Sequence, residues 1–254
     1  MTSLHFAPSV PVFDANVCVG DGFKEASPCR TRADLLAEMD AFGVGRALVY
    51  HAQTEVMSPL MGNQLLEDWI ADDGRLVPQW SAMPTEDSLA QLQSLYDQRR
   101  VSCMRLHDSQ SAGLPFRTWA YEQLLSWLTD TGTPLWIPLP ETDPDDVVTT
   151  LRSYPGLVSV LVGAHYTHAL WVRPMLRALP NAYLELSRYE PIGEVEALRN
   201  EFGAGRLVYG SWYPRYALGS MLYYLHHTYL TSDELALVCA GNLERILRGE
   251  GRSD

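Results

Sequence analysis

Few cysteines, few cations and no long apolar run limit what this chain can be before any motif is read. The four cysteines stand at 18, 29, 103 and 239 with no Cys-x-x-Cys pair. That spacing argues against a zinc knuckle or a disulfide framework and for a reduced compartment. Lys and Arg number 19 against 31 Asp and Glu, a formal charge of −12. Such a surface repels phosphate backbones and anionic membranes, so neither nucleic acid nor membrane is expected as a partner. No apolar stretch approaches the roughly 18 residues that span a bilayer. Met1–His5 lacks both a basic n-region and an apolar h-region, which makes the cytoplasm the expected location. Linker-like Gly/Ser runs and low-complexity tracts are also missing. One domain over residues 1–254 is therefore expected, ordered over about 8–248.

What is present is ordinary globular material, 46% hydrophobic and 20% charged, arranged in alternation. Short apolar runs rich in β-branched residues lie at Val10–Val17, Arg46–Tyr50, Leu76–Ser81, Val101–Leu106, Pro134–Leu139, Val158–Val162, Ala182–Leu186 and Arg206–Gly210. Continuous apolarity, rather than alternation, is the mark of parallel strands buried on both faces. Between them stand helical stripes. Leu35, Leu36, Met39 and Phe42 form one, opened by Thr31-x-x-Asp34 and closed by Gly43. Thr231-x-x-Glu234 begins a closing helix that runs to Leu247. Eight strand–helix units in a chain of this length predict an α/β fold, a single (β/α)8 TIM-like barrel with a C-terminal helix.

In such a barrel, side chains at the C-terminal ends of the strands converge on one mouth. Taken in order, these ends supply Asn16 and Cys18, then His51 and Gln53, then Trp80, Ser81 and Met83, then Arg105, His107 and Asp108. Pro138, Pro140 and Glu141 follow, then His165, Tyr166 and His168, then Glu185, Ser187 and Arg188, and last Ser211, Trp212, Tyr213 and Arg215. Histidines 51, 107, 165 and 168 all fall here, and imidazole suits both proton transfer near neutral pH and metal ligation. Each one singly has a plainer reading as a hydrogen-bonded strand cap. His226-His227 sits in a Tyr-rich stretch and reads as packing or surface.

Several segments, in order, resemble the amidohydrolase-related branch of the amidohydrolase superfamily. Asp14-Ala-Asn16-Val-Cys18 stands where that family carries His-x-His, and Gly210-Ser-Trp212-Tyr-Pro214 where it carries Gly-Ser-Asp-x-Pro. Val101–His107, Leu161–His165, Asn181–Ser187 and Ala240–Leu247 are similar to its fourth, sixth and seventh strands and closing helix. The resemblance implies a divalent metal held by two histidines of the first strand, histidines after strands five and six, and an aspartate after strand eight. Carried over position by position, only His165 matches; the others read Asn16, Cys18, Pro138 and Trp212.

The expected function is therefore a metal-independent hydrolase, or a lactonase or isomerase, acting on a small carboxylate-bearing or cyclic substrate with no cofactor. Cys18, His165 and His107 are the catalytic candidates, with an imidazole lowering the thiol pKa as the basis for a Cys–His pair. Asn16, His51, Arg105, Tyr166, His168, Arg188, Trp212, Tyr213 and Arg215 are the substrate-binding candidates, the arginines as carboxylate clamps. One alternative is a catalytically inactive binding or scaffold barrel in which Trp212 plugs the former metal cavity. The other is a hydrolase with a single displaced metal such as zinc on Cys18 and His165. The Tyr- and Leu-rich stretch Leu218–Leu230 offers either an association surface for a homo-oligomer or packing under the last helix.

Overall fold

The computed structural model of the protein describes residues 6–21, 29–70, 73–107 and 113–251. The strands are β1 (Phe13–Val19), β2 (Arg46–His51), β3 (Leu76–Pro78), β4 (Trp80–Ala82), β5 (Met104–Leu106), β6 (Leu135–Pro138), β7 (Ser159–Val162), β8 (Ala182–Glu185) and β9 (Leu207–Val208). All pair in parallel, in two hydrogen-bonded runs, β1-β2-β3 and β4 through β9 in chain order. The predicted third strand is split because Pro78 has no N–H to give the ladder; Gln79 N–H resumes it on Val49 O at 2.9 Å. The first strand begins at Phe13 rather than Val10 and extends to Val19. At the seam, Ala15 N–H donates to Tyr209 O (3.1 Å) and Cys18 N–H to Tyr213 O (2.7 Å). Eight staves thus form the TIM-like α/β barrel that the alternation implies.

Helices cover the outside. Arg32–Phe42 opens on the expected capping box, in which Thr31 Oγ1 accepts from Asp34 N–H and Asp34 accepts from Thr31 N–H. It ends at Gly43 in the left-handed region, φ 69°, where a side chain would be strained. Thr31→Ala removes the cap and is expected to cost about 1 kcal/mol, measurable by urea denaturation. The closing segment is not one regular helix. Ser232–Ala236 passes through a wide π-turn at Leu237–Gly241 into Asn242–Leu247. The turn leaves Val238 O free to accept Tyr209 N–H at 2.8 Å, and Asn242 Nδ2 donates to Ala204 O and Leu207 O, both at 2.8 Å.

Apolar packing follows the strand faces. One cluster lies between staves and helices; a second fills the barrel with Phe13, Leu48, Cys103, Trp136, Val160 and Tyr183. Within Leu218–Leu230, the helix Gly219–Leu225 buries Met221, Leu222 and Leu225 and leaves Tyr223 exposed. Among the described residues no helix is long and apolar enough to cross a membrane.

Candidate functional site

Just inside the mouth, strand residues that point inward are polar and bond to one another, while Asp14 Oδ2, Gln79 Nε2, Ser81 Oγ and Arg105 Nη2 have no hydrogen-bond partner among the described residues. Asp14 Oδ1 accepts from the backbone N–H of Asn16 (3.0 Å) and of Ser211 (2.9 Å). Glu185 accepts from Ser187 N–H (2.7 Å), Ser187 Oγ (2.9 Å), Gly163 N–H (3.3 Å) and Asn16 Nδ2 (3.4 Å). Asn16 Oδ1 in turn accepts from Arg105 Nη1 (3.3 Å), which also reaches Gln79 Oε1 (3.4 Å). The Arg105 guanidinium lies 4.1 Å over the Tyr50 ring. Asp14, Asn16 and Glu185 are fully enclosed and Arg105 nearly so. Burial pushes Asp14 up to about 6 and Glu185 up to about 7, against the hydrogen bonds that pull each down. Gly210 makes room for this layer, since a side-chain carbon there would collide with the Glu185 carboxylate.

Trp212 lies across the top. It is 1% exposed, and its indole N–H donates to Tyr50 Oη at 3.1 Å. Its ring rests on Gly163, where any added carbon would strike it. Its backbone holds φ at 53°, a left-handed conformation uncommon outside glycine. Tyr50 Oη donates onward to Glu55 Oε1 (2.9 Å), and the other Glu55 oxygen accepts from Arg215 Nη2 (2.8 Å). Arg215 and Arg188 sit 4.8 and 5.8 Å from the Trp212 ring, and Arg188 also lies 5.5 Å from the Tyr216 ring. Among the described residues Arg188 makes no ion pair or hydrogen bond; it lies over these two rings, and its charge reaches His168.

Cys18 packs with Tyr50 and Ala52 under this cap. Burial, then the Glu55 charge, pushes its thiol well up, so it stays protonated. This differs from the expectation of a thiol lowered by imidazole: its hydrogen-bonding neighbour is Tyr50, and no hydrogen bond joins it to His165. The rim holds the remaining candidates. His165 is half-buried, shares a 3.0 Å hydrogen bond through Nδ1 with Thr167 Oγ1, and lies 3.9 Å from the exposed Tyr166 ring. His168 Nδ1 accepts from His165 N–H (3.0 Å) and its ring stacks on Trp171. Burial, then His165 and Arg188, pushes His168 down. His51 is buried over Gly20, accepts from Gln53 N–H (3.2 Å), and is also pushed down by burial. His107 is half-buried at the end of β5. Tyr213 packs in the cluster between staves and helices rather than in the mouth. Asp108 lies outside the described residues. Tyr50, Glu55 and Gln79, absent from the sequence-based set, are all part of the arrangement.

A divalent metal does not fit the side chains that stand at the ligand positions. Asn16 has both ends of its amide turned into the buried layer, Pro138 offers no donor, and the Trp212 nitrogen has no free lone pair and already donates to Tyr50. One rim imidazole and one protonated thiol fall short of the three protein ligands that a catalytic zinc needs. Among the described residues no three His, Cys, Asp or Glu side chains gather in a way that could hold an ion.

Comparison with known proteins agrees with the barrel. The model of the amidohydrolase family matches residues 22–249. An uncharacterized TIM-barrel protein from Bordetella bronchiseptica superposes with a TM-score of 0.75 at 18% identity, over 96% of this chain and 100% of that one. A dihydroxybenzoic acid decarboxylase from Polaromonas, with bound manganese and 2-nitroresorcinol, gives 0.76 at 13% identity over 94% and 97%. An amidohydrolase from Burkholderia multivorans with bound zinc gives 0.72 at 16% identity over 94% and 99%. Identities this low speak for the fold alone. No curated protein sequence matches.

Proposed function

The chain belongs to the amidohydrolase family, and on that premise we propose that it binds a small ring-bearing carboxylate at the barrel mouth without the metal of its relatives. The observation that carries this is Trp212, enclosed, hydrogen-bonded to Tyr50 and seated on Gly163, in the position where the family resemblance puts a metal-ligating aspartate. It closes the cavity below and forms a covered floor beneath Arg188, Arg215 and Tyr216. Above that floor, Arg188 supplies a cation without a carboxylate, and Tyr166 and Tyr216 supply exposed ring faces. A guanidinium in this setting recognises a carboxylate. The decarboxylase from Polaromonas, named for an aromatic acid, agrees with that ligand class.

Elemental analysis of purified protein, after loading with Zn²⁺ or Mn²⁺ and dialysis, tests the first half of the reading. Well under one equivalent is expected; a full retained equivalent overturns it. Binding of benzoate, followed by calorimetry, tests the second half, and Arg188→Met is expected to weaken it at least tenfold, the loss of one charge-assisted contact.

A second reading is favoured by one feature of His165. Its Nδ1 lies 3.0 Å from Thr167 Oγ1 and 3.5 Å from Thr167 N–H, and Nε2 has no hydrogen-bond partner among the described residues; in the tautomer whose Nδ1–H donates to the hydroxyl, the Nε2 lone pair is open to act as a general base. Under that reading the same ligand is turned over at the rim, and His165→Gln abolishes turnover while leaving benzoate affinity within about twofold.

A further inference from the structure

The mouth does not treat its two arginines alike. Arg215 is held by Glu55 at 2.8 Å, and Glu55 is itself fixed from the other side by Tyr50 Oη at 2.9 Å. Tyr50 is fixed by the Trp212 indole, and Arg215 returns over the Trp212 ring. These four side chains close a ring of contacts around the plug. Glu55 is mostly covered, with its side chain 21% exposed, so its charge is poorly screened from its neighbours. Glu141, from the turn after β6, adds its field to the same arginine. Arg188 stands outside that ring, on the far contact of the same indole, with no carboxylate among the described residues. His168 beside it is disfavoured as a cation by its own burial.

We propose that Glu55 is the specificity-determining residue of the mouth: by compensating Arg215 it leaves Arg188 as the one open cation of the mouth among the described residues, and so selects monocarboxylates over dicarboxylates. This rests on the binding reading above. A second carboxylate on the ligand must displace Glu55 from Arg215 or lie beside it, and like charges at such distances repel by an amount worth roughly tenfold in affinity. Nothing in the Glu55 segment, Gln53–Val56, marks it in the sequence; its role comes from what the short helix after β2 places next to the loop after β9.

The experiment compares benzoate and phthalate binding to the full-length protein by calorimetry at low salt. The wild type is expected to prefer benzoate. Glu55→Gln keeps an oxygen for the Tyr50 hydroxyl and removes only the charge, so phthalate affinity is expected to rise about tenfold relative to benzoate. Arg215→Gln, which leaves Glu55 uncompensated, is expected to weaken benzoate by a similar factor. Benzoate binding with a phthalate ratio unchanged in Glu55→Gln overturns the role of Glu55 and leaves the binding reading standing. Failure of the wild type to bind either probe overturns both. Thermal melts of the two variants show that neither result reflects unfolding.

Discussion

Trp212→Ala is expected to lower stability by about 3–5 kcal/mol, the range for removing a large enclosed aromatic side chain. The ring fills the space above Gly163, and its N–H is the partner of Tyr50 Oη. Its loss opens a cavity and releases the Tyr50–Glu55–Arg215 contacts together. Urea denaturation measures the loss directly, and a fall in melting temperature of roughly 10 °C should accompany it in a chain of this size. Trp212→Phe separates the two contributions, because it keeps most of the volume and drops the donor; about 1 kcal/mol is expected. A cost under 1 kcal/mol for the alanine variant would mean that the ring is not plugging the barrel. Trp212→Asp is not expected to restore metal binding, since Asn16, Cys18 and Pro138 still fail to provide a donor set on β1 and β6.

A pH dependence of stability is the second large expectation. Asp14 and Glu185 stand at about 6 and 7, raised by burial from ordinary values of 3.8 and 4.5. A carboxyl raised on folding favours the native state while it is protonated. Its contribution is complete below about pH 4 and is lost as pH climbs through 6 and 7. Each shift corresponds to about 3 kcal/mol between those limits. Asp14→Asn keeps an oxygen for Asn16 N–H and Ser211 N–H but cannot ionise. Urea titrations at pH 4.5 and pH 8 should therefore show the variant losing less stability than the wild type over that interval. Parallel losses in the two proteins would show that Asp14 does not titrate there.

The fold was legible because its signals are redundant. Eight apolar runs, a capping box at Thr31 and a left-handed glycine at position 43 each point the same way, and the structure uses all of them. What periodicity missed were local exceptions: the break at Gln79, caused by the proline before it, and the π-turn at Leu237–Gly241, which inserts one residue into an otherwise helical pattern. The candidate site was only half legible. Strand-end position brought forward Trp212, Arg188 and Arg215, whose side chains meet, and His165 on the rim. It could not tell the rim from the layer beneath, so Asn16 and Arg105 stand among the substrate-binding candidates although they are enclosed. The signal for that inner layer was nonetheless present, as single charged letters inside apolar runs: Asp14 after Phe13, Arg105 after Met104, Glu185 after Leu184. Glu55 and Tyr50 could not be found this way, because their importance lies in partners more than 150 residues distant.

Tyr209 has one peptide facing two ways: its carbonyl accepts from the first strand and its N–H donates to the π-turn of the closing segment. During synthesis on a ribosome the first strand has no partner on its open side until that residue emerges. Tyr209 in turn lacks its own acceptor until Val238 has been made. The nascent chain therefore carries an unpaired strand edge until these residues have been made, and the segment from Tyr209 to Val238 acts as the clasp that removes it. A ribosome stalled before Val238 would present an open sheet rather than a smaller barrel.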